Sequence, residues 1–351
     1  MKNPKKLVEL GISHYHTGNY KEALNFYKKA IPYLYYNDLG ILYYNMGLCY
    51  LSLYSYDNAE RLFKKSFYEY DYKSSGYELA LSYLFNNKLN EGLSLYQYRY
   101  YGDRFKFPRL PITQFTNIEQ LKNKNVLVLN EQGFGDEILF SRVLPTLDTI
   151  VNNCHYQIYP EMFTLFQNNF KLNNITLFQE RQFDLKFIQQ FDGWIASGDL
   201  FSSYTLNYGT RHYTFNNTTN KSNIKKIGIV WKTNAISPNS NLRSISLEKI
   251  KKQLSFNTIE YHNLQKDENI DWMIKHTINN FQDTTSIINE MDLIISVDTS
   301  TVHLSASMNK PTLLIYDTYL DWRWKYNFYS TITPVQIDNL INEINKIIKN
   351  N

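Results

Sequence analysis

Cysteine is nearly absent from this chain: Cys49 and Cys154 are the only two, far apart in segments of different periodicity, which leaves no disulfide framework and no cysteine zinc site to build on. A reducing cytoplasm suits that usage. No stretch is apolar for the roughly eighteen residues that a membrane-spanning helix needs. The opening "MKNPKKLVELGISHYHTGNY" is charged and then amphipathic, without the apolar run and small-residue cleavage site of a secretory leader. Arginine-rich stripes are missing too. The formal charge is only +4, with lysines scattered among acids, so nucleic acid is not implied. The seven histidines are scattered without an H-x-x-x-H spacing, so no metal is expected, and His14, His155, His212, His262 and His276 read as surface or packing residues.

What the chain has in excess is aromatic. Its 30 Tyr and 21 Phe accompany an ordinary hydrophobic fraction of 43%, so ring packing should carry much of the core. A length of 351 residues implies two or three units, and the first of them repeats. Gly11 is followed by Ala23, Tyr27 and Ala30; Gly47, Ala59 and Phe63 restate the pattern 36 residues on, and Ala80, Gly92 and Tyr96 give a weaker third copy. Small residues at these points let antiparallel helices approach closely, while the rings fill the gap to the next pair. The pattern resembles tetratricopeptide repeats over roughly residues 4–100. That resemblance implies either a concave face for a protein partner or a rigid cap on the next domain.

Pro108 and Pro111 in "YYGDRFKFPRLPITQF" forbid a continuing helix and mark a boundary. From about residue 120, short β-branched runs alternate with helical stretches, the pattern of βαβ units and parallel sheets. Expected strands are "NVLVLN" at 125, "HYQIYP" at 155, "NITLFQ" at 174 and "FDGWIASGDL", then "KIGIVW" at 226, "IEYHNLQ", "DLIISV" at 292 and "PTLLIY" at 311. Between the two series, "YGTRHYTFNNTTNKSNIKK" is polar and aperiodic and reads as a linker. The last helix is expected to be opened by Pro334 in "PVQIDNLINEINKIIKN". The expected domains are helical repeats over 1–105, a first Rossmann-like domain over 106–215 and a second over 216–351. Two open parallel sheets joined by a linker bring their strand ends to one cleft, where ligands of such sheets bind.

Three segments carry chemistry. In "NEQGFGDEILFS", Gly133 and Gly135 permit a tight turn and close backbone approach, and Asp136 stands where a helix begins, as a first-turn acid or as a base. The turn has glycines like a phosphate cradle but no lysine. In "MDLIISVDTSTVHLSASMNKPTLLIY", a strand ends at Val297, Asp298-Thr299-Ser300-Thr301 forms a hydroxyl-rich turn, and a helix is expected from near Val302. Backbone N–H groups there suit anionic oxygens; otherwise Asp298 and Ser300 cap a helix and His303 packs inside. In "GIVWKTNAISPNSNLRSISLEKI", Lys232 and Arg243 stand on either side of a polar loop, and either would offset negative charge in the cleft. Asp283 in "FQDTTSIINEMD" reads as a helix cap near the same rim. In "DWRWKYNFY", Arg323 between Trp322 and Trp324 is placed to stack and pair locally.

The turn "NEQGFGDEILFSRVLPTL" resembles the N-terminal signature of family 9 glycosyltransferases, the heptosyltransferase-like group. "NEGLSLYQYRYYGDRFKFPRLP" and "DWRW" are similar to segments of bacterial proteins that join tetratricopeptide repeats to such a domain. The resemblance implies an α repeat region followed by a GT-B-like pair of Rossmann-type α/β domains. It implies Asp136 as catalytic base, with Gln132, Gly133, Phe134 and Gly135 on the acceptor side. Donor binding falls to Lys232, Arg243, Gln265, Asp298, Thr299, Ser300, Thr301, Val302 and His303. The implied activity is inverting, metal-independent sugar transfer from a nucleotide-sugar co-substrate, with no resident cofactor, to a glycan or protein hydroxyl in the cytoplasm. The alternative is a non-catalytic repeat scaffold that binds a protein partner or a sugar nucleotide.

Overall fold

The structure, a computed structural model, describes residues 3–102, 105–210, 215, 225–233, 240–254 and 258–350. The chain divides into two compact units, Met1–Arg109 and Leu110–Asn351.

In the first unit three helix pairs succeed one another: Pro4–His16 with Tyr20–Ala30, Tyr36–Ser52 with Tyr56–Lys64, and Ser75–Phe85 with Leu89–Ser94. The repeat acts as its residue types require. A Cβ built on Gly11 would lie 2.3 Å from the Tyr27 ring, and one on Gly47 would lie 2.5 Å from the Phe63 ring, so only glycine lets these helices meet. Ala23, Ala30, Ala59 and Ala80 are fully buried. The third pair inverts the arrangement, setting Gly92 against Leu84 at 2.5 Å. Where each pair turns, Gly18, Tyr54 and Asn87 adopt φ of 78°, 56° and 60°, the left-handed residue that ends a helix. Beyond the third pair Arg99 is fully buried. Its guanidinium faces the Tyr96, Tyr100 and Phe107 rings at 5.0, 4.8 and 5.4 Å, which supply the favourable charge–quadrupole contact that a buried cation needs.

The second unit holds two sheets. β1 (Thr113–Gln114), β2 (Asn125–Leu129), β3 (Asn153–Gln157), β4 (Ile175–Phe178) and β5 (Gly193–Ala196) form the first, in the order β1-β5-β2-β3-β4. β6 (Lys226–Val230), β7 (Glu260–Asn263), β8 (Ile274–Lys275), β9 (Leu293–Ser296), β10 (Thr312–Tyr316) and β11 (Ile332–Gln336) form the second, in the order β11-β10-β9-β6-β7-β8. Every ladder is parallel. One apolar cluster runs between the sheets, joining Val128 and Ile138 of the first to Ile288 and Leu304 of the second. Among the described residues no helix is long and apolar enough to cross a membrane.

Each expected strand is present; one strand and one helix differ in extent, and one expected helix start differs in kind. The run "FDGWIASGDL" is strand only to Ala196; the helix Ser197–Tyr208 then starts, with its Gly198 N–H held by Glu131 Oε1 at 2.7 Å. The helix expected near Val302 begins earlier, at Ser300. Pro334 does not open the final helix. It lies inside β11, an edge strand. The Thr331 carbonyl accepts from Thr312 N–H at 2.9 Å, so by strand alternation Pro334 faces outward, where its missing N–H breaks no ladder bond. The helix comes later, at Leu340–Asn350. Most of the expected linker, with the 215/216 boundary, lies outside the described residues, as does the loop 234–239. Phe215 is an anchor there: its N–H donates to Ser307 O at 2.7 Å and its ring packs on Phe166 and Phe170.

The strand orders place the site. In the first sheet the chain runs from β2 outward through β3 and β4, then returns to β5 on the other side; in the second it runs from β6 through β7 and β8, then returns to β9. The two crevices, between β2 and β5 and between β6 and β9, are where loops part and ligands enter such sheets. The Asp136 turn comes after β2, the Lys232 turn after β6 and the Asp298 turn after β9.

Candidate active site

After β2 the chain reverses at Gln132, whose φ of 65° makes it the left-handed residue of the turn. The glycines serve otherwise than the tight turn they suggest. Gly133 precedes the helix Phe134–Phe140 with an extended backbone, and its N–H donates to Asp136 Oδ2 at 3.1 Å. Gly135 is required for approach: a Cβ there would lie 2.7 Å from His303 Cδ2. That contact brings the Asp136 helix of the first sheet against the Ser300 helix of the second. Gly135→Ala is therefore expected to destabilise the protein by about 1–3 kcal/mol, while Gly133→Ala, which meets only Asp136 Oδ2 at 3.6 Å, should change stability far less; thermal melts of the two variants compare them directly.

Phe134 is partly buried against Tyr159 at 5.0 Å and Phe281 at 5.1 Å, the latter from the second sheet's side. Tyr159 in turn donates its hydroxyl to Gln132 O at 2.5 Å. The acid next to Asp136, Glu137, points into the first sheet's core with only 1% exposure. Burial pushes its carboxyl up to about 8, against the Tyr159 N–H, the Asn130 side chain and the charge of Arg181.

The second half of the site is the turn after β9. Ser300 and Thr301 occupy the first two positions of the helix Ser300–Ser307, so their N–H groups have no acceptor within the helix. Val302 does not share that role: its N–H donates to Thr299 O at 3.1 Å and its side chain is buried beside Leu314 and Trp324. The Thr299 hydroxyl is 3.2 Å from that of Ser296. Asp298 pairs with Arg243 at 3.5 Å. Burial, then the charge of Asp321, raises the Asp298 carboxyl to about 6, against the pull of Arg243, Arg323 and a Trp324 hydrogen bond.

His303 is interior. Its Nδ1 lies 3.1 Å from the Tyr329 hydroxyl and its ring is 4.5 Å from that of Trp324. Burial first, and then Arg323, Arg142 and Arg243, hold its pKa well below the ordinary imidazole range, so it is neutral and packs the boundary between the sheets. Of the two cations left open by the sequence, Arg243 faces Asp298, whereas Lys232 pairs with Glu268 and keeps 41% of its side chain exposed. Gln265 is buried, and its Oε1 accepts the Lys232 N–H at 3.2 Å, so its side chain braces the end of β6. Asp283 Oδ2 accepts the Asn279 N–H at 2.8 Å in the first turn of the helix that Asn280 caps.

Arg323 is the group that sequence reasoning set aside. From the connection between β10 and β11 it reaches the first sheet's turn: Nη2 lies 2.5 Å from Asp136 Oδ1 and 3.1 Å from Gln132 Oε1, and Nη1 lies 2.9 Å from Asp321 Oδ1. The neighbouring chain crosses with it. Phe328 packs on Phe201 at 5.6 Å, and its carbonyl accepts from Arg142 Nη2 at 3.2 Å. The signal was in "DWRW", an arginine between two large rings just past the carboxyl end of a buried strand. Among the described residues no three His, Cys, Asp or Glu side chains gather as a metal would require.

Residues 278–330 match the model of glycosyltransferase family 9 (heptosyltransferase). Over that stretch this chain is similar to family 9 glycosyltransferases. The matched segment contains the Asp298–His303 turn and Arg323 alike, and it supports glycosyl transfer as the activity. A comparison with curated proteins finds no match. Among solved structures, the E. coli ADP-heptose LPS heptosyltransferase II is 11% identical, with 64% of this chain and 99% of that one covered at a TM-score of 0.45. The E. coli heptosyltransferase WaaC with ADP is 10% identical, with the same shares covered, 64% and 99%, at 0.42. The Yersinia enterocolitica type III secretion chaperone SycD, in complex with a peptide of the translocator YopD, is 22% identical, with 26% of this chain and 72% of that one covered at 0.24. Likenesses at such scores add nothing to what the family 9 segment supports.

Proposed function

We propose that this protein is an inverting glycosyltransferase of GT-B type, with the acceptor on the Asp136 side and the nucleotide-sugar donor on the Ser300 side. The observation that carries the reading is that the family 9-like segment supplies both the Ser300 helix start and the arginine that lands on Asp136. In the proposed step Asp136 takes the proton from an acceptor hydroxyl as that oxygen bonds to the anomeric carbon. The bond from that carbon to the diphosphate oxygen breaks, and its electron pair leaves with the nucleoside diphosphate. The Ser300 and Thr301 N–H groups, with Arg243 and Arg323 nearby, supply the donors and positive charge that stabilise the departing group.

A panel of nucleotide sugars, scanned by thermal shift, tests this. One of them should raise the melting temperature, since a ligand at 100 times its Kd stabilises by about 2.7 kcal/mol. Given an acceptor hydroxyl, water included, the same compound should then be turned over, with nucleoside diphosphate released at an undiminished rate in excess EDTA. No stabilisation by any member of the panel would favour the non-catalytic scaffold.

A further inference from the structure

Both carboxylate oxygens of Asp136 are engaged: Oδ2 takes the Gly133 N–H at 3.1 Å and Oδ1 takes Arg323 Nη2 at 2.5 Å. An acceptor hydroxyl must therefore compete with Arg323 for Oδ1, in an ion pair whose side chains are only 15% and 20% exposed. Arg323 does not depend on Asp136 for its place. Asp321 Oδ1 holds Nη1 at 2.9 Å, and the guanidinium lies 4.6 Å from the centre of the Trp322 ring. Asp321 is itself fixed by the Tyr319 hydroxyl at 3.2 Å and by the Arg323 N–H at 3.0 Å. The guanidinium's partner Asp136 follows Gly135, where a Cβ would lie 3.6 Å from Ser300 Cα and 2.7 Å from His303 Cδ2, so the clasp sits beside the donor turn.

Asp136 offers this cation one charge through one oxygen. A nucleoside diphosphate offers at least two charges and paired oxygens matched to the guanidinium fork. We propose that Arg323 is a donor-sensing clasp that holds Asp136 while the cleft lacks donor and passes to the diphosphate when a nucleotide sugar reaches the Ser300 helix. Asp136 is thereby released as a base only with the donor in place, and the reaction acquires an order, donor before acceptor. The inference rests on the reading of Asp136 as the base.

Binding, measured on the full chain by calorimetry, tests the clasp without any need for turnover. The probes are ADP, GDP, UDP, CDP and inorganic pyrophosphate. Asp136→Asn keeps an oxygen for the Gly133 N–H but gives up the ion pair, so the best-bound probe should bind about 5–10-fold more tightly. Arg323→Gln should weaken it about tenfold, and adding Asp136→Asn in that background should change nothing further. General relief of repulsion by the lost Asp136 charge would instead tighten binding equally in both backgrounds, which overturns the clasp. If Arg323→Gln does not fold, Arg323→Lys, which keeps charge without the fork, replaces it and should show a smaller response to Asp136→Asn than wild type does. A wild-type protein that binds a probe with affinity unmoved by Asp136→Asn also overturns the clasp and leaves the base assignment standing. No binding of any probe to any variant overturns the clasp and the donor site together.

Discussion

Asp136→Asn is expected to cut turnover by about 100- to 10,000-fold, the range that a positioned general base contributes. The substitution is close to isosteric, and Asn keeps the acceptor that holds the Gly133 N–H at the helix start. Arg323 retains Asp321 and Gln132, so the boundary between the sheets should hold, while loss of a mostly buried ion pair should lower the melting temperature by a few degrees. What disappears is the group proposed to receive the acceptor's proton. Nucleoside-diphosphate release from the stabilising nucleotide sugar gives the rate, and calorimetry with the diphosphate shows that the donor side is intact. Near-wild-type turnover in a variant that still binds the diphosphate would remove Asp136 from the role.

Glu137→Gln is expected to have the largest effect on stability, with a sign set by pH. Burial raises the folded-state pKa of Glu137 from 4.5 to about 8. The contribution is fully present below about pH 4.5, where both states are protonated, and is lost as pH rises toward 8 and a buried carboxylate must form. The wild type should therefore lose on the order of 5 kcal/mol through this one group across that window. A glutamine cannot ionise. The variant should match or fall slightly below the wild type at pH 5 and melt roughly 10 °C above it at pH 9, at the few degrees per kcal/mol typical of a domain this size. Parallel melting curves for the two proteins across that range would show that Glu137 stays ionised or reaches water.

Much of this structure was legible where a physical constraint leaves a periodic trace. Glycine opposite an aromatic ring recurs in the first two repeats because two helices cannot otherwise touch, and Gly11 and Gly47 announce it. Parallel strands such as Leu293–Ser296 are buried at every position and apolar up to the closing Ser296, because both faces are covered. Strands of two residues, β1 and β8, leave no such trace. Pro334 misled because a proline is equally at home at a helix start and on the outward side of an edge strand; only the neighbouring strand decides. In the site, sequence position located the turns, since both come directly after strands at the switch points. Direction was not legible. Val302 and His303 belong to the helix after the Asp298 turn and point into the core, and Gln265 braces a backbone. Arg323 looked local because its partner is 187 residues away, a separation at which sequence carries no periodicity to read.

That separation also bears on how the molecule is made. Asp136 and Arg323 meet only after β2 through β10 and the connection beyond have formed, so the contact between them is among the most non-local in the fold and closes late. A chain emerging from the ribosome displays its Asp136 turn long before Arg323 exists. Until the second sheet docks, the proposed base has no cation beside it and no Ser300 helix to work with. On the proposed reading catalytic competence is thus a late product of synthesis, and an unfinished chain carries only a cap on a helix where the finished one brings Asp136, Arg323 and the Ser300 helix together.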